Sequence, residues 1–169
     1  MTSYDVCEAI ASVIAKLWPD RVLYRDFCPV DHKRPSGFLY VRRSSFQDAN
    51  AALVRWELEA QLELFCATDS YDISSSEDLR RDQEQVLTAF GGPSLQVEDR
   101  WVSVSAQGDG MEIGSAFVLF RASWIDQRPG YHDVLDDTDP VSAKIPKMEQ
   151  FEVNGRPFPP AGETARKEQ

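Results

Sequence analysis

The chain has 169 residues, a formal net charge of −10 and a sequence pI of about 4.6. Its length suits one domain with a hydrophobic core of its own and an additional segment. The acidic balance argues against non-specific nucleic-acid binding, which needs a basic face to neutralise phosphates, and the lack of a long apolar run argues against a signal peptide or a membrane span.

The first predicted element is a helix over residues 3–18, and a short strand over residues 21–27 follows it. Thr2 or Ser3 can cap the start of the helix, and Pro19 ends it. Apolar residues recur at helical spacing and form one stripe that is expected to face the core. The members of this stripe are Val6, Ile10, Val13 and Leu17.

A second strand is predicted over residues 38–46 and a third over residues 55–65. The third reads RWELEAQLELF, in which apolar and polar residues alternate. Successive side chains of a strand point to opposite faces, so this run predicts one buried and one solvated face. The solvated face is expected to carry Glu57, Glu59 and Glu63. The buried face is expected to carry Trp56, Leu58, Ala60, Leu62 and Leu64.

A second helix is predicted over residues 74–90. Ser74 followed by Glu77 fits a capping box at its start, and the glycines and proline of GGP end it. The stripe that it is expected to bury is typical of a helix that lies on a sheet. The stripe consists of Leu79, Gln83, Val86, Leu87 and Phe90.

Two further strands are predicted over residues 94–106 and 115–125, joined by QGDGMEIG. Gly108 and Gly110 are expected to supply the positive φ angles of a tight hairpin connection. The element order α, β, β, β, α, β, β predicts an α+β fold. We expect a mainly antiparallel sheet of about four to five strands, flanked by two helices and followed by an extended C-terminal arm.

The composition changes after residue 126, where acidic and turn-forming residues become frequent. We predict an α+β domain over residues 1–126, an extended arm with a small hairpin over residues 127–158, and a disordered tail over residues 159–169. Apolar residues of the arm alternate with polar ones, as in a strand that adds to a partner. The residues expected to contact a partner are Met148, Phe151 and Val153.

Few residues fall into a pattern that is typical of catalysis. The glycines of GDGMEIG lead into a strand instead of a helix, which argues against a phosphate-binding loop. Cys7, Cys28 and Cys66 form an odd set without paired spacing, and we predict free thiols and folding in a reducing, cytoplasmic environment. His32 and His132 fall in predicted loops, where a histidine is usually an ordinary surface residue.

An acidic loop is the strongest candidate for a metal site. Its carboxylates suit Ca²⁺ or Mg²⁺, but their spacing does not match an EF-hand, so a solvated loop is favoured. The candidate ligands are Asp133, Asp136, Asp137 and Asp139. We therefore predict no catalytic residue, no metal and no cofactor, and we favour a binding or assembly protein over an enzyme.

Several stretches occur in an order that is known from one protein family: LWPD at the end of the first helix, then VLYRDF, FLYVRR, WELEAQLELF, AFGG and a late KMEQFEVNG. This order resembles the tail terminator proteins of tailed phages and phage-like particles. The similarity covers residues 4–125 and 145–155, and it is one of order and pattern without an invariant signature. The acidic segment 131–139 and the long C-terminal end depart from the family pattern.

The resemblance implies a small α+β protein that forms a homo-hexameric ring on the last layer of a tail tube. Such a ring stops tube growth and joins the tail to the neck or head. The implied partners are the tail tube protein, a neck or connector protein, and the sheath where one is present. The implied location is the virion, after synthesis in the host cytoplasm, with no membrane contact. No catalytic residue is implied.

The resemblance implies a function for the glutamates of the third strand. Six chains of charge −10 carry −60, and a channel lined by Glu57, Glu59 and Glu63 would repel phosphate, so that DNA passes without specific binding. The alternative for this face is ordinary solvated surface. Two other functions stay open at this stage: another head–tail adaptor, such as a neck or head-completion protein, and a small metal-dependent enzyme or regulator that uses the 133–139 loop.

Overall fold

The computed structural model divides into two units, Met1–Arg128 and Pro129–Gln169. The first unit thus ends two residues beyond the boundary that we expected from the sequence. No helix in the described part of the chain is long and apolar enough to cross a membrane. The expected disordered tail, residues 159–169, lies outside the described residues. The structure describes residues 1–69, 74–132, 138–144, 151–153 and 156–158.

The described residues of the first unit form two helices and one six-stranded sheet. The helices are α1 (Ser3–Leu17) and α2 (Ser76–Ala89). The strands are β1 (Val22–Arg25), β2 (Ser36–Asp48), β3 (Leu53–Phe65), β4 (Ser94–Val97), β5 (Arg100–Glu112) and β6 (Ser115–Gln127). In the second unit, β7 (Phe151–Val153) pairs with β8 (Arg156–Phe158), and Ser142–Lys144 form one 3-10 turn.

The class α+β is correct, but the predicted sheet is wrong in strand number and in type. Six strands in the order β1-β2-β3-β6-β5-β4 form a mixed sheet that curls into a half-barrel, with β1 parallel to β2. The predicted strand 94–106 is in fact β4 and part of β5, separated by a tight turn in which Glu98 has φ 54°. A turn without glycine gives little signal in a sequence, and alternation does not distinguish parallel from antiparallel pairing.

Two irregularities in strand pairing accompany the curl of the sheet. The register between β2 and β3 shifts between Val41 and Arg43, and the register between β5 and β6 shifts between Gly108 and Met111. An extra residue in one strand bends that strand and increases its local twist. On the other side of β2, β1 covers only residues 36–39, so within the described residues the remaining edge of β2 has no paired strand.

The helix starts show how far local signals determine the fold. The Thr2 side chain accepts a hydrogen bond from the Asp5 backbone N–H, and the Asp5 carboxylate accepts one from the Thr2 N–H, which forms a capping box. In α2 the cap is Ser75, one residue later than predicted, and Ser74 instead accepts a hydrogen bond from Arg34. The connection between β5 and β6 is also shorter than predicted, because β5 continues to Glu112.

The positive φ of the β5–β6 connection lies at Gly114, with φ 91°. Gly108 and Gly110 lie within β5 and do not have the positive φ that we expected of them. Beside Gly108 the α2 residue Gln83 donates hydrogen bonds to the backbone carbonyls of Asp109 and Phe117. The absence of a side chain at Gly108 therefore leaves room for Gln83 to reach both strands.

Both helices pack on the face of the sheet that carries the even-numbered residues of β3. Leu58, Ala60, Leu62 and Leu64 are fully buried, as the alternation predicted, whereas Trp56 is only partly buried. They share one hydrophobic cluster with the apolar stripes of α1 and α2. The helix residues in this cluster are Val6, Cys7, Ile10, Ala11, Ile14, Leu79 and Val86.

A buried ion pair, which the sequence did not predict, links α2 to the segment between α1 and β1. Arg21 donates two hydrogen bonds to the Asp82 carboxylate, at 2.5 and 3.3 Å. The Asp82 side chain is only 3% exposed and that of Arg21 is 24% exposed. The guanidinium also lies 4.4 Å from the ring centroid of Trp18, whose Nε1 donates to Gln85 at 3.0 Å. These contacts hold the chain reversal after α1 against α2.

Candidate functional site

The sheet face opposite the helices carries the three glutamates that the sequence singled out. We call this surface, formed around the odd-numbered residues of β3, the polar face. Glu57, Glu59 and Glu63 are each partly exposed on it. The face is less solvated than alternation predicts, because Gln61 and Phe65 on the same side of β3 are buried. Strand alternation therefore brings the glutamates onto one face, on which buried residues lie among them.

Glu59 lies beside arginines of both neighbouring strands and forms an ion pair with one of them, Arg121. In the pairing register it lies opposite Arg43 of β2 and Arg121 of β6. Arg121 Nε donates to Glu59 Oε1 at 3.1 Å. Both side chains are well exposed, so the pair contributes under about 1 kcal/mol to stability. Its main effect is on the surface charge, because the positive charge of Arg121 offsets the negative charge of Glu59.

Glu57 has a different environment. It lies opposite Ser45 of β2 and Ser123 of β6, and it forms no ion pair with any residue that the structure describes. A depression of about 400 Å³ opens beside it. The polar side chains around this depression are Glu57, Glu59, Ser103, Ser105, Arg121 and Ser123. Hydroxyl groups therefore surround this carboxylate, and they can hydrogen-bond to it or to water without carrying charge.

Glu63 lies among aromatic residues. It is opposite Phe38 of β2 and Phe117 of β6, and the Phe38 ring stacks on Tyr40 with 4.8 Å between centroids. Burial, followed by the nearby charge of Glu63, raises the pKa of Tyr40. Burial and the Glu63 charge also raise the pKa of the Cys28 thiol. Both shifts disfavour the ionised forms of Tyr40 and Cys28 beside the Glu63 carboxylate.

A second depression, of about 420 Å³, continues the polar face towards the β5–β6 turn. It contains charges of both signs, from Arg42 on β2 and from Asp109 and Glu112 on β5. The described face therefore carries both arginines and carboxylates. It is not the uniformly acidic surface that β3 alone suggests. The sequence could not show this, because cross-strand neighbours depend on the register between strands that are distant in the chain.

The remaining candidate residues do not meet in one site. Within the described ranges, no group of three or more His, Cys, Asp or Glu side chains is placed to hold a metal ion. Asp133, Asp136 and Asp137 lie outside the described residues. Asp139 accepts hydrogen bonds from the Val141 backbone N–H, from His132 Nδ1 and from Ser142 Oγ. These bonds, that of Val141 foremost, lower the pKa of Asp139.

The cysteines and the arm complete the outcome of the sequence predictions. Cys7, Cys28 and Cys66 are free thiols, and Cys7 and Cys66 are buried. Phe151 and Val153 belong to β7, which pairs with β8 of the same chain. Met148 lies outside the described residues, so the expected contact of this segment with a partner stays a prediction. His32, which we expected to be an ordinary surface residue, is partly buried and packs on the Phe65 ring at 4.1 Å between centroids.

No protein-family model matches the chain, and no curated protein matches it.

Proposed function

We propose that the protein is a structural subunit of a phage tail, a tail terminator. Six copies form a ring on the end of the tail tube, stop its growth and join the tail to the neck or head. The observation that carries this proposal is a curled sheet whose long strands bury one face under two helices and leave the other face polar. A sheet of this kind can line an opening while its helices remain on the outside.

The chemistry of the polar face supports a channel wall through which DNA passes. Arg121 is bound to Glu59 and so is less available to a phosphate group. Glu57 and Glu63 form no ion pair with a described residue and keep their negative charge towards the opening. A face without a continuous basic track has no means to hold a phosphate backbone along its length. The repulsion of phosphate is therefore weaker than three free carboxylates would give, and Glu57 and Glu63 contribute most of it.

The proposal is tested by polymerising the tail tube protein of the same particle in the presence of the purified chain. Negative-stain electron microscopy should show tubes of restricted length with a six-membered ring at one end. A neck or head-completion protein would leave tube length unrestricted and would bind only tubes that are already capped. A chain that stays monomeric with and without tubes would contradict both assignments.

Removing the second unit should separate folding from assembly. The first unit ends at Arg128, whose side chain donates hydrogen bonds to the backbone carbonyls of Asn50 and Ala51. Deletion of residues 129–169 should therefore leave a monomer with a nearly unchanged melting temperature but abolish ring formation, because the arm contacts a neighbouring subunit or tail protein. Circular dichroism and light scattering measure the two effects. Loss of the folded state would instead show that the arm belongs to the core.

Reversing the charge of Glu57 and Glu63 should slow genome passage without preventing assembly. The double change to lysine adds +4 per chain and +24 per ring of six, while the Glu59–Arg121 pair is kept. The fold should survive, since exposed charge changes usually cost under about 0.5 kcal/mol each. Phosphate should now be retained in the channel, and DNA ejection should be slower at low salt and recover as salt is added.

Two matched variants control for this effect. Changing Glu57 and Glu63 to glutamine removes the negative charge without adding a positive one, and should slow ejection less. Changing the exposed α2 residues Glu77 and Glu84 to lysine adds the same charge on the helix side and should leave ejection normal. If the variant with lysine at Glu57 and Glu63 fails to assemble, the polar face lies at a subunit contact. Normal ejection at low salt would place it on the outer wall of the ring.

A further inference from the structure

The second depression of the polar face, about 420 Å³ beside the β5–β6 turn, is formed by residues of four strands. It lies away from the helices, because Gln61 and Phe117 are on the polar side of β3 and β6. Its volume falls in the range of about 300–1,000 Å³ that is typical of small-molecule sites. The residues that line it are Arg42, Gln61, Asp109, Gly110, Met111, Glu112 and Phe117.

One residue of this depression carries an amide that has no hydrogen-bond partner. Gln61 is only 9% exposed, and its side chain forms no hydrogen bond with any residue that the structure describes. The amide is not fully enclosed, and Gln61 lines the depression, so a ligand there can reach it. Gln83 shows the usual situation, because its amide donates to two backbone carbonyls. Buried polar groups are almost always bonded, so the partner of the Gln61 amide must enter from the depression.

Three charged side chains lie around this amide and do not pair with one another. Arg42, Asp109 and Glu112 line the same depression, and in the part of the chain that the structure describes none of them forms an ion pair. One positive and two negative groups give the site a charge of −1, which favours a ligand with more positive than negative charge. A phosphate group would meet two carboxylates for one guanidinium, so this charge balance disfavours it.

We propose that this depression binds a basic α-amino acid, such as arginine. The carboxylate of the ligand accepts hydrogen bonds from the Arg42 guanidinium and the Gln61 amide. Its two positive groups bind the carboxylates of Asp109 and Glu112, and its methylene groups pack on the Phe117 ring. The ligand carries +1, which balances the charge of the site. This site goes beyond the proposed role in the tail, because a free amino acid binds to the single chain and needs neither ring nor tube.

The test compares three probes on the full chain at low salt: L-arginine, agmatine, which lacks the carboxylate, and L-citrulline, whose side chain is uncharged. L-arginine should bind about tenfold more tightly than either, which is the usual effect of one hydrogen bond to a charged group. Simple attraction to a chain of charge −10 would instead favour agmatine, which carries +2. Side-chain amide signals of the ¹⁵N-labelled chain follow the binding. Those of Gln61 should shift, and those of Gln85 on α2 should stay in place.

Two variants with the same change of charge assign this preference to one arginine. Arg42→Gln should remove the preference for L-arginine over agmatine. Arg55→Gln alters an exposed arginine of β3 that does not line the depression, and it should keep the preference. Gln61→Leu identifies the Gln61 signals by their loss and should weaken L-arginine binding about tenfold. The backbone amide signals show whether each variant is folded, and the comparison of probes on the unaltered chain needs no variant.

Three results would overturn the proposal. The first is agmatine binding to the unaltered chain as tightly as L-arginine or more tightly. The second is a set of Gln61 signals that L-arginine does not move at about 20 mM, a concentration that nearly fills a site of millimolar affinity. The third is an equal loss of the preference in Arg42→Gln and Arg55→Gln, which would assign it to the overall charge of the chain and not to the depression.

Discussion

Replacing Arg21 with methionine should lower the free energy of unfolding by about 3–5 kcal/mol, one of the largest effects expected of a single substitution in this chain. The substitution leaves the Asp82 carboxylate without a partner at a position that is only 3% exposed. Methionine still covers the Trp18 ring with apolar atoms, so the loss reports mainly on the unpaired charge. Urea denaturation followed by tryptophan fluorescence measures it.

The opposite substitution provides an internal comparison. Asp82→Ala leaves Arg21 unpaired, but this side chain is 24% exposed and can turn towards water. Its cost should therefore be smaller than that of Arg21→Met. A double variant, Arg21→Met with Asp82→Leu, should recover most of the stability, because apolar residues of similar size often replace a buried ion pair without loss. Equal costs for both single variants would show that the charge of Asp82 is not held in a buried environment.

Replacing Leu62 with alanine should cost about 2–5 kcal/mol, through lost burial and the cavity that remains. Leu62 is fully buried in the second half of β3, and one of its methyl groups lies close to Gly37 on β2. The same change at Leu53, which is 37% exposed near the start of the same strand, should cost far less. Thermal unfolding of the two variants measures the difference. Similar melting temperatures for both would contradict the assignment of the buried face.

Local signals predicted most of what depends on neighbouring residues in the chain. The alternation over residues 55–65 identified the buried and the polar side of β3, and Thr2 was correctly identified as a possible cap of α1. Both signals act within a few residues, where geometry leaves few options. The error at the start of α2 has the same origin, since adjacent serines offer two equivalent caps and the tertiary contact of Ser74 with Arg34 decides between them.

Features that depend on register could not be predicted. The parallel pairing of β1, the turn at Glu98 and the position of Gly114 each follow from how distant strands meet. The same holds for the candidate site. The sequence placed Glu57, Glu59 and Glu63 on one face, but Arg121, which forms an ion pair with Glu59, comes from β6, and Arg43 lies opposite Glu59 on β2. The charge of a sheet face is therefore overestimated when it is inferred from one strand, because the residues that offset this charge lie on strands that are distant in the sequence.

The edge of β2 that none of the described strands covers is relevant to aggregation of the protein. Unpaired N–H and C=O groups along an outer strand can recruit the strands of other molecules and start insoluble fibres. In this chain the register break between Val41 and Arg43 interrupts such a row, and Arg42 and Arg43 place two positive charges at the break. A second copy aligned in the same register would bring like charges together. The irregularity that accompanies the curl of the sheet thus also makes this edge of β2 a poorer template for another strand.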